Sequence, residues 1–125
     1  MKENVRFIQA FVGGFMGPSY EVSIDLKDKT VTYKSFENGY EEKGKMVKHL
    51  EKAEEDFLLN KLSSCNILEW KKRYEPDYPV MDGTNWSVKV ETEKDSLEKS
   101  GSNAYPEEWC LFCRTMEEIT GKEFR

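Results

Sequence analysis

Tyr20, Val22, Ile24 and Leu26 alternate with Glu21, Ser23, Asp25 and Lys27. A period of two buries one face of a strand and wets the other, so this is the clearest strand in the chain. Val5 to Val12 is rich in β-branched and aromatic residues, and Gly13-Gly14 and Gly17-Pro18 bracket its connection to that strand. Thr30 to Phe36 follows through Lys27-Asp28-Lys29, and Asn38-Gly39 marks a type I′ turn into a short strand near Tyr40 to Lys45. The first third is therefore a β-meander.

From Val47 the period changes. Leu50, Ala53, Phe57, Leu58, Leu62 and Cys65 form a broad helical stripe opposed by Lys52, Glu55, Asp56 and Ser63, which predicts an amphipathic helix ending near Asn66. Ile67 to Tyr74 continues as a further turn or two until Pro76 and Pro79 end regular structure. After Asp82-Gly83, Trp86, Val88 and Val90 alternate with Ser87, Lys89 and Glu91 as another strand, with Ser96 to Ser100 as its hairpin partner. Pro106 opens a last helix, where its missing N–H costs nothing. With connections too short for parallel crossovers, the order β-β-β-β-α-β-β-α predicts an α+β fold. It consists of an antiparallel sheet of five to six strands with two helices packed on one face.

A chain of 125 residues with no repeat or linker fits one domain, residues 1–125, burying roughly two-thirds of its unfolded surface. The apolar share is a modest 38%, but 13% is aromatic, so a few large side chains carry much of the burial. Asp and Glu number 24 against 19 Lys and Arg, interleaved as in Glu51-Lys52-Ala53-Glu54-Glu55. That pattern is a solvated surface without the clustered basic face a phosphate backbone needs, so no nucleic-acid partner is expected. Gln9 and two glycines interrupt the apolar run from Phe7 to Met16, no small-residue cleavage site follows, and no run approaches the roughly 20 residues of a membrane span. An odd cysteine count also argues against a disulfide scaffold. The expected place is the cytoplasm, where the sequon Asn85-Trp86-Ser87 has no consequence.

Cys110 and Cys113 stand three apart directly after Trp109. At about 100° per residue, Trp109, Phe112, Cys113, Met116 and Ile119 share one stripe, with Cys110 at its flank, so Cys113 occupies a core position. A thioredoxin-like pair places its nucleophile at a helix N-terminus, whereas a helix opening at Pro106 puts Cys110 about a turn inside. Helical neighbours three apart have Cβ atoms roughly 5 to 6 Å apart, and a relaxed disulfide needs about 3.5 to 4.5 Å. Cys65 and His49 show no zinc-site spacing relative to the pair. Buried structural thiols are the expectation, with no metal and no cofactor.

Gly13-Gly14-Phe15-Met16-Gly17-Pro18 shares only its glycine content with phosphate-cradling loops, because no Gly-Lys-Ser/Thr follows. His49, the only histidine, lies beside Lys48 at the expected start of a helix and has no nucleophile motif. The acids are too many for any two to be singled out. No catalytic set can be assembled, and a non-enzyme is expected.

One aromatic constellation rises above this background. Trp70, Tyr74, Tyr78 and Trp86 surround Pro76, Pro79 and Asp82-Gly83, and a loop with Asn103 and Tyr105 leaves the neighbouring strand. Tyr and Trp combine apolar area with a polar handle, as recognition sites do. Against this stands a structural role: Trp70 and Trp86 in the core, Asp82-Gly83 as a turn, and Ser102 or Asn103 capping the last helix.

Gly17-Pro18-Ser19-Tyr20-Glu21-Val22-Ser23-Ile24, then Tyr74, Asp82-Gly83, Trp86-Ser87-Val88 and Ser100-Gly101-Ser102-Asn103-Ala104-Tyr105-Pro106, resemble small bacterial α+β domain families of unassigned activity. The resemblance spans most of the chain and implies no catalytic residue. Small acidic bacterial domains include immunity proteins that neutralise toxins, an analogy of type. The leading expectation is thus a small non-catalytic protein, immunity-like or regulatory. It would bind a protein partner, a basic one being favoured by the acidic surface, through Trp70, Tyr74, Tyr78, Asp82, Trp86, Asn103 and Tyr105. The alternative is a small-molecule binding domain or enzyme with a pocket near Asp82, Trp86 and Asn103.

Overall fold

The first strand lies at the centre of the sheet, and both halves of the chain are built onto it. The computed structural model describes residues 5–14, 18–37, 41–76 and 83–124. In order these are β1 (Val5–Gly14), β2 (Ser19–Asp25), β3 (Thr30–Glu37), β4 (Glu41–His49), α1 (Lys52–Cys65), a 3-10 turn (Ile67–Glu69), β5 (Arg73–Tyr74), β6 (Thr84–Thr92), β7 (Ser96–Ser102) and α2 (Trp109–Thr120). The strands lie side by side as β4-β3-β2-β1-β6-β7-β5. The meander β1 to β4 extends from one edge of β1, and the hairpin β6-β7 pairs antiparallel with the other.

The fold is α+β, and among the described residues there are two helices and a sheet of seven strands rather than five or six, mixed rather than wholly antiparallel. The difference is β5, which falls where a helical turn was expected and runs parallel to β7, Arg73 opposite Ser100 and Tyr74 opposite Gly101. Two residues carry no period. They become a strand because Trp70, 4% exposed, is anchored by its indole N–H to the Cys65 carbonyl (2.8 Å). Ser100 N–H then reaches the Lys72 carbonyl (3.1 Å).

Register explains the core. Ile8 stands opposite Ile24 and Val90, Ala10 opposite Val22 and Val88, and Val12 opposite Tyr20 and Trp86. These rows share one face, and Leu58, Leu62, Phe112 and Met116 from the helices join them in one buried cluster. Full burial of each such aliphatic side chain contributes about 1.5–3 kcal/mol. In α1 the expected stripe is buried at Leu58, Leu62 and Cys65, while Ala53 is exposed and Phe57 half-buried. Asn66 ends the helix at φ 53°, a left-handed conformation that asparagine tolerates.

Three boundaries depart from expectation. Val47 and His49 belong to β4 rather than a helix: Val47 pairs with Thr32 and His49 with Thr30, and Leu50 N–H continues to the Lys29 carbonyl (2.7 Å). A short apolar stretch fits either period, and pairing with β3 decides it. The second is the start of α2, at Trp109, after a turn in which Trp109 N–H bonds the Pro106 carbonyl (3.1 Å). Cys110 therefore lies in the first turn of α2, not a turn inside. Third, the N-cap of α2 is Glu108, so neither Ser102 nor Asn103 caps it. The expected Asn38-Gly39 turn, and Phe15 to Gly17 in the connection after β1, lie outside the described residues.

Candidate functional site

The aromatic residues singled out by sequence do converge, and they converge inward. Trp70 is 4% and Trp86 2% exposed, their rings edge to face at 5.8 Å. Trp109 sits 4.7 Å from Trp86 and 6.2 Å from Trp70, and Phe112 closes on both Trp70 and Trp109. Every partner of Trp86 is internal: its indole N–H donates to the Ala104 carbonyl (2.8 Å), and Gly101 opposite it leaves the space the ring edge occupies. Tyr74 is half-buried against Trp86 (5.8 Å), and its hydroxyl accepts from Lys71 N–H (3.0 Å). Tyr105 is 41% exposed and stacks on Trp109.

Asn103 is a clamp on the start of β6. At φ 53° its Oδ1 accepts from Thr84 N–H (3.0 Å), while its own N–H donates to the Thr84 carbonyl (2.9 Å). Tyr78 and Asp82 lie outside the described residues. Of the expected set, then, Trp70 and Trp86 are buried, Asn103 commits its N–H and Oδ1 to Thr84 within the fold, and Tyr105 is the exposed aromatic.

The cysteines follow their helical stripe. Cys65 and Cys113 are buried and Cys110 is exposed, all three as thiols. Burial, with the Glu108 carboxylate nearby, pushes the Cys65 thiol up to about 11, so it stays protonated. Among the described residues no three His, Cys, Asp or Glu side chains come together as a metal cluster. Nor is any helix among them long and apolar enough to cross a membrane.

The surface that remains is the other side of the sheet. Both helices bury their apolar residues against the inner rows, and no helix among the described residues covers the outer face. In the strand register Phe7, Gln9 and Phe11 of β1 point outward. They are flanked by Asp25, Ser23 and Glu21 of β2 on one side and by Glu91, Lys89 and Ser87 of β6 on the other. On β7, Glu98 stands opposite Lys89 and Ser100 opposite Ser87. This central area carries four carboxylates, Glu21, Asp25, Glu91 and Glu98, against two cations, Lys89 within it and Lys34 of β3 directly opposite Glu21 at its border. Towards the β4 edge the sign changes, because Lys34 stands directly opposite Lys45.

A depression of about 260 Å³ opens in this area, lined by Gln9, Phe11, Glu21, Ser87, Lys89 and Glu98. It exists because Ser87 is short among longer neighbours. Gln9 Nε2 donates to Glu21 Oε1 (3.3 Å) and to Ser23 Oγ (3.5 Å), which orients the Glu21 carboxylate. Lys89 Nζ lies 3.6 Å from Glu91 along its own strand. Gly13 makes room first for Ser19 opposite it on β2, whose Cβ would clash with any Gly13 side chain, and then for the Phe11 ring, whose Cζ lies 3.3 Å from where that side chain would start. A second, more open hollow of about 300 Å³ lies between the helices, lined by Ala53, Glu54, Phe57, Glu118 and Ile119.

No residue of the outer face was among the expected site residues. Their alternation was legible, but that β1 lies between β2 and β6, bringing Gln9 and Phe11 beside Lys89 and Ser87, comes only from strand order. Compared with known proteins, the chain matches no family model and no curated sequence.

Proposed function

We propose that the chain is a small non-catalytic binding protein, immunity-like or regulatory and cytoplasmic, whose partner is a protein with a basic surface. It docks across the outer face of the sheet rather than through the aromatic loop. The observation that carries this is the excess of carboxylates over cations around Phe7 and Phe11, four against two with Lys34 of β3 counted, on the sheet face that the helices leave uncovered. Half-buried aromatic rings supply contact area at low entropic cost, and surrounding acids steer a basic partner and reject acidic ones. Trp70 and Trp86, by contrast, are committed to the core.

A photo-crosslinker at Ser87 would capture the partner in cells, and the captured protein, purified, would then be titrated calorimetrically against the parent chain. Glu98→Lys is expected to weaken binding, as is added salt, while Glu118→Lys on the helical side leaves it unchanged. Equal affinity for the parent and Glu98→Lys would remove the outer face as the site.

A further inference from the structure

We infer that the outer-face depression receives an arginine side chain of the partner, its guanidinium lying on the Phe11 ring and bonding to the carboxylates of Glu21 and Glu98. This rests on the proposed docking face and names the chemistry that would anchor it. The lining supplies each element such a group needs. Glu21 and Glu98 approach from β2 and β7, on opposite sides of the strands β1 and β6 that form the floor. Gln9 already holds Glu21 by a donated hydrogen bond (3.3 Å), so one acceptor is in place before binding. Phe11 offers an aromatic wall, and a cation on such a face gains most when desolvated. The lining cation, Lys89, lies 3.6 Å from Glu91 on its own strand, and Lys34, opposite Glu21 on β3, stands outside the lining, so within the depression the two opposed carboxylates have no other cation beside them.

Shape separates the two basic side chains. A guanidinium is planar, presents a fork of donors that can serve two carboxylates at once, and stacks on a ring, whereas an ammonium is a compact, strongly hydrated point charge. A depression of about 260 Å³, walled by a ring and bounded by two acids, suits the planar group and the end of its stem.

The test uses the isotope-labelled chain and three capped tripeptides, Gly-Arg-Gly, Gly-Lys-Gly and Gly-citrulline-Gly, citrulline being the uncharged isostere of arginine. The arginine peptide is expected to move the amide resonances of Phe11, Ser87, Lys89 and Glu98. The lysine peptide should move them less and the citrulline peptide not at all. Glu98→Gln should weaken the arginine response by about tenfold, the scale of one hydrogen bond to a charged group. Phe11→Leu, which keeps the position apolar, should also weaken it, with circular dichroism showing both variants folded. Equal responses to arginine and citrulline, equal responses to arginine and lysine, no response at these residues, or an undiminished response in both variants would each overturn the assignment. If none of the peptides responds while the purified partner still loses affinity for Glu98→Lys, the docking face stands and the arginine anchor falls. If Glu98→Lys has no effect either, both fall.

Discussion

The indole N–H of Trp86 donates to the carbonyl of Ala104 at 2.8 Å, which ties the core tryptophan of β6 to the loop that leaves β7. The contact is possible because Gly101, opposite Trp86 in the register, has no side chain: a Cβ there would lie 2.6 Å from the Ala104 carbonyl oxygen and press on the indole edge. Gly101→Ala is therefore expected to destabilise the fold by about 1–3 kcal/mol, the usual cost of overpacking a filled core. Urea unfolding followed by tryptophan fluorescence measures it, and an unchanged midpoint would mean that the loop yields without cost.

Cys113 is buried among the apolar residues of α2. Cys113→Ser should cost about 1–3 kcal/mol, because a hydroxyl is costlier than a thiol to bury among these apolar residues, whereas exposed Cys110 should tolerate serine. In the native chain a thiol reagent should label Cys110 rapidly and Cys65 and Cys113 slowly. Rapid labelling of all three would show that the helix stripe opens readily.

Alkaline pH should weaken the fold in a defined window. Burial, aided by Glu108, pushes the Cys65 thiol from its ordinary 9.0 up to about 11. Burial, followed by the charges of Tyr20, Glu123 and Glu117, pushes the Tyr33 phenol from 10.0 up to about 12. Both groups stay neutral in the fold at pH values where the unfolded chain has already lost the proton. Stability from these two is intact below pH 9 and falls as pH rises towards 12, because the unfolded state binds fewer protons. Urea midpoints taken across that range should decline, and Tyr33→Phe should flatten the decline above pH 10. A flat profile in the parent would show that neither group titrates differently on unfolding.

Phe124 is fully buried, packed against Trp109 and Phe112, and its N–H donates to Glu117 Oε2 (3.0 Å). Tyr33 holds the same segment by donating its hydroxyl to the Glu123 carbonyl (2.8 Å). Phe124→Ala should cost about 3–5 kcal/mol, as core aromatic truncations do, and calorimetric melting would register it. A loss below that range would mean that the neighbouring rings close the gap.

Legibility followed the length of each periodic segment. The alternation from Tyr20 to Leu26 predicts β2 because seven residues repeat one pattern, and the stripe Leu58, Leu62, Cys65 predicts α1 for the same reason. Arg73–Tyr74 carries no pattern, and it is a strand only because the folded chain lays it beside Ser100 and Gly101. Asn103 has the composition of a helix cap, yet it clamps Thr84, nineteen positions away, a pairing no local rule contains. Phe124 shows no period either, and its burial depends on the space left between α2 and β3. The aromatic constellation was legible as a group, but the direction it faces was not: tryptophans near turns fit a recognition surface and a core equally well, and the 3-10 turn after Cys65 folds Trp70 inward.

Hydroxyl-radical footprinting of the chain, alone and with its purified partner, tests the docking face most directly, because it compares aromatic side chains on both sides of the sheet. Phe7 and Phe11 on the outer face should lose reactivity in the complex, while Phe57 in α1 and Tyr105 beside α2 keep theirs. Protection of Phe57 or Tyr105 with Phe7 and Phe11 unchanged would place the partner on the helical side and contradict the account.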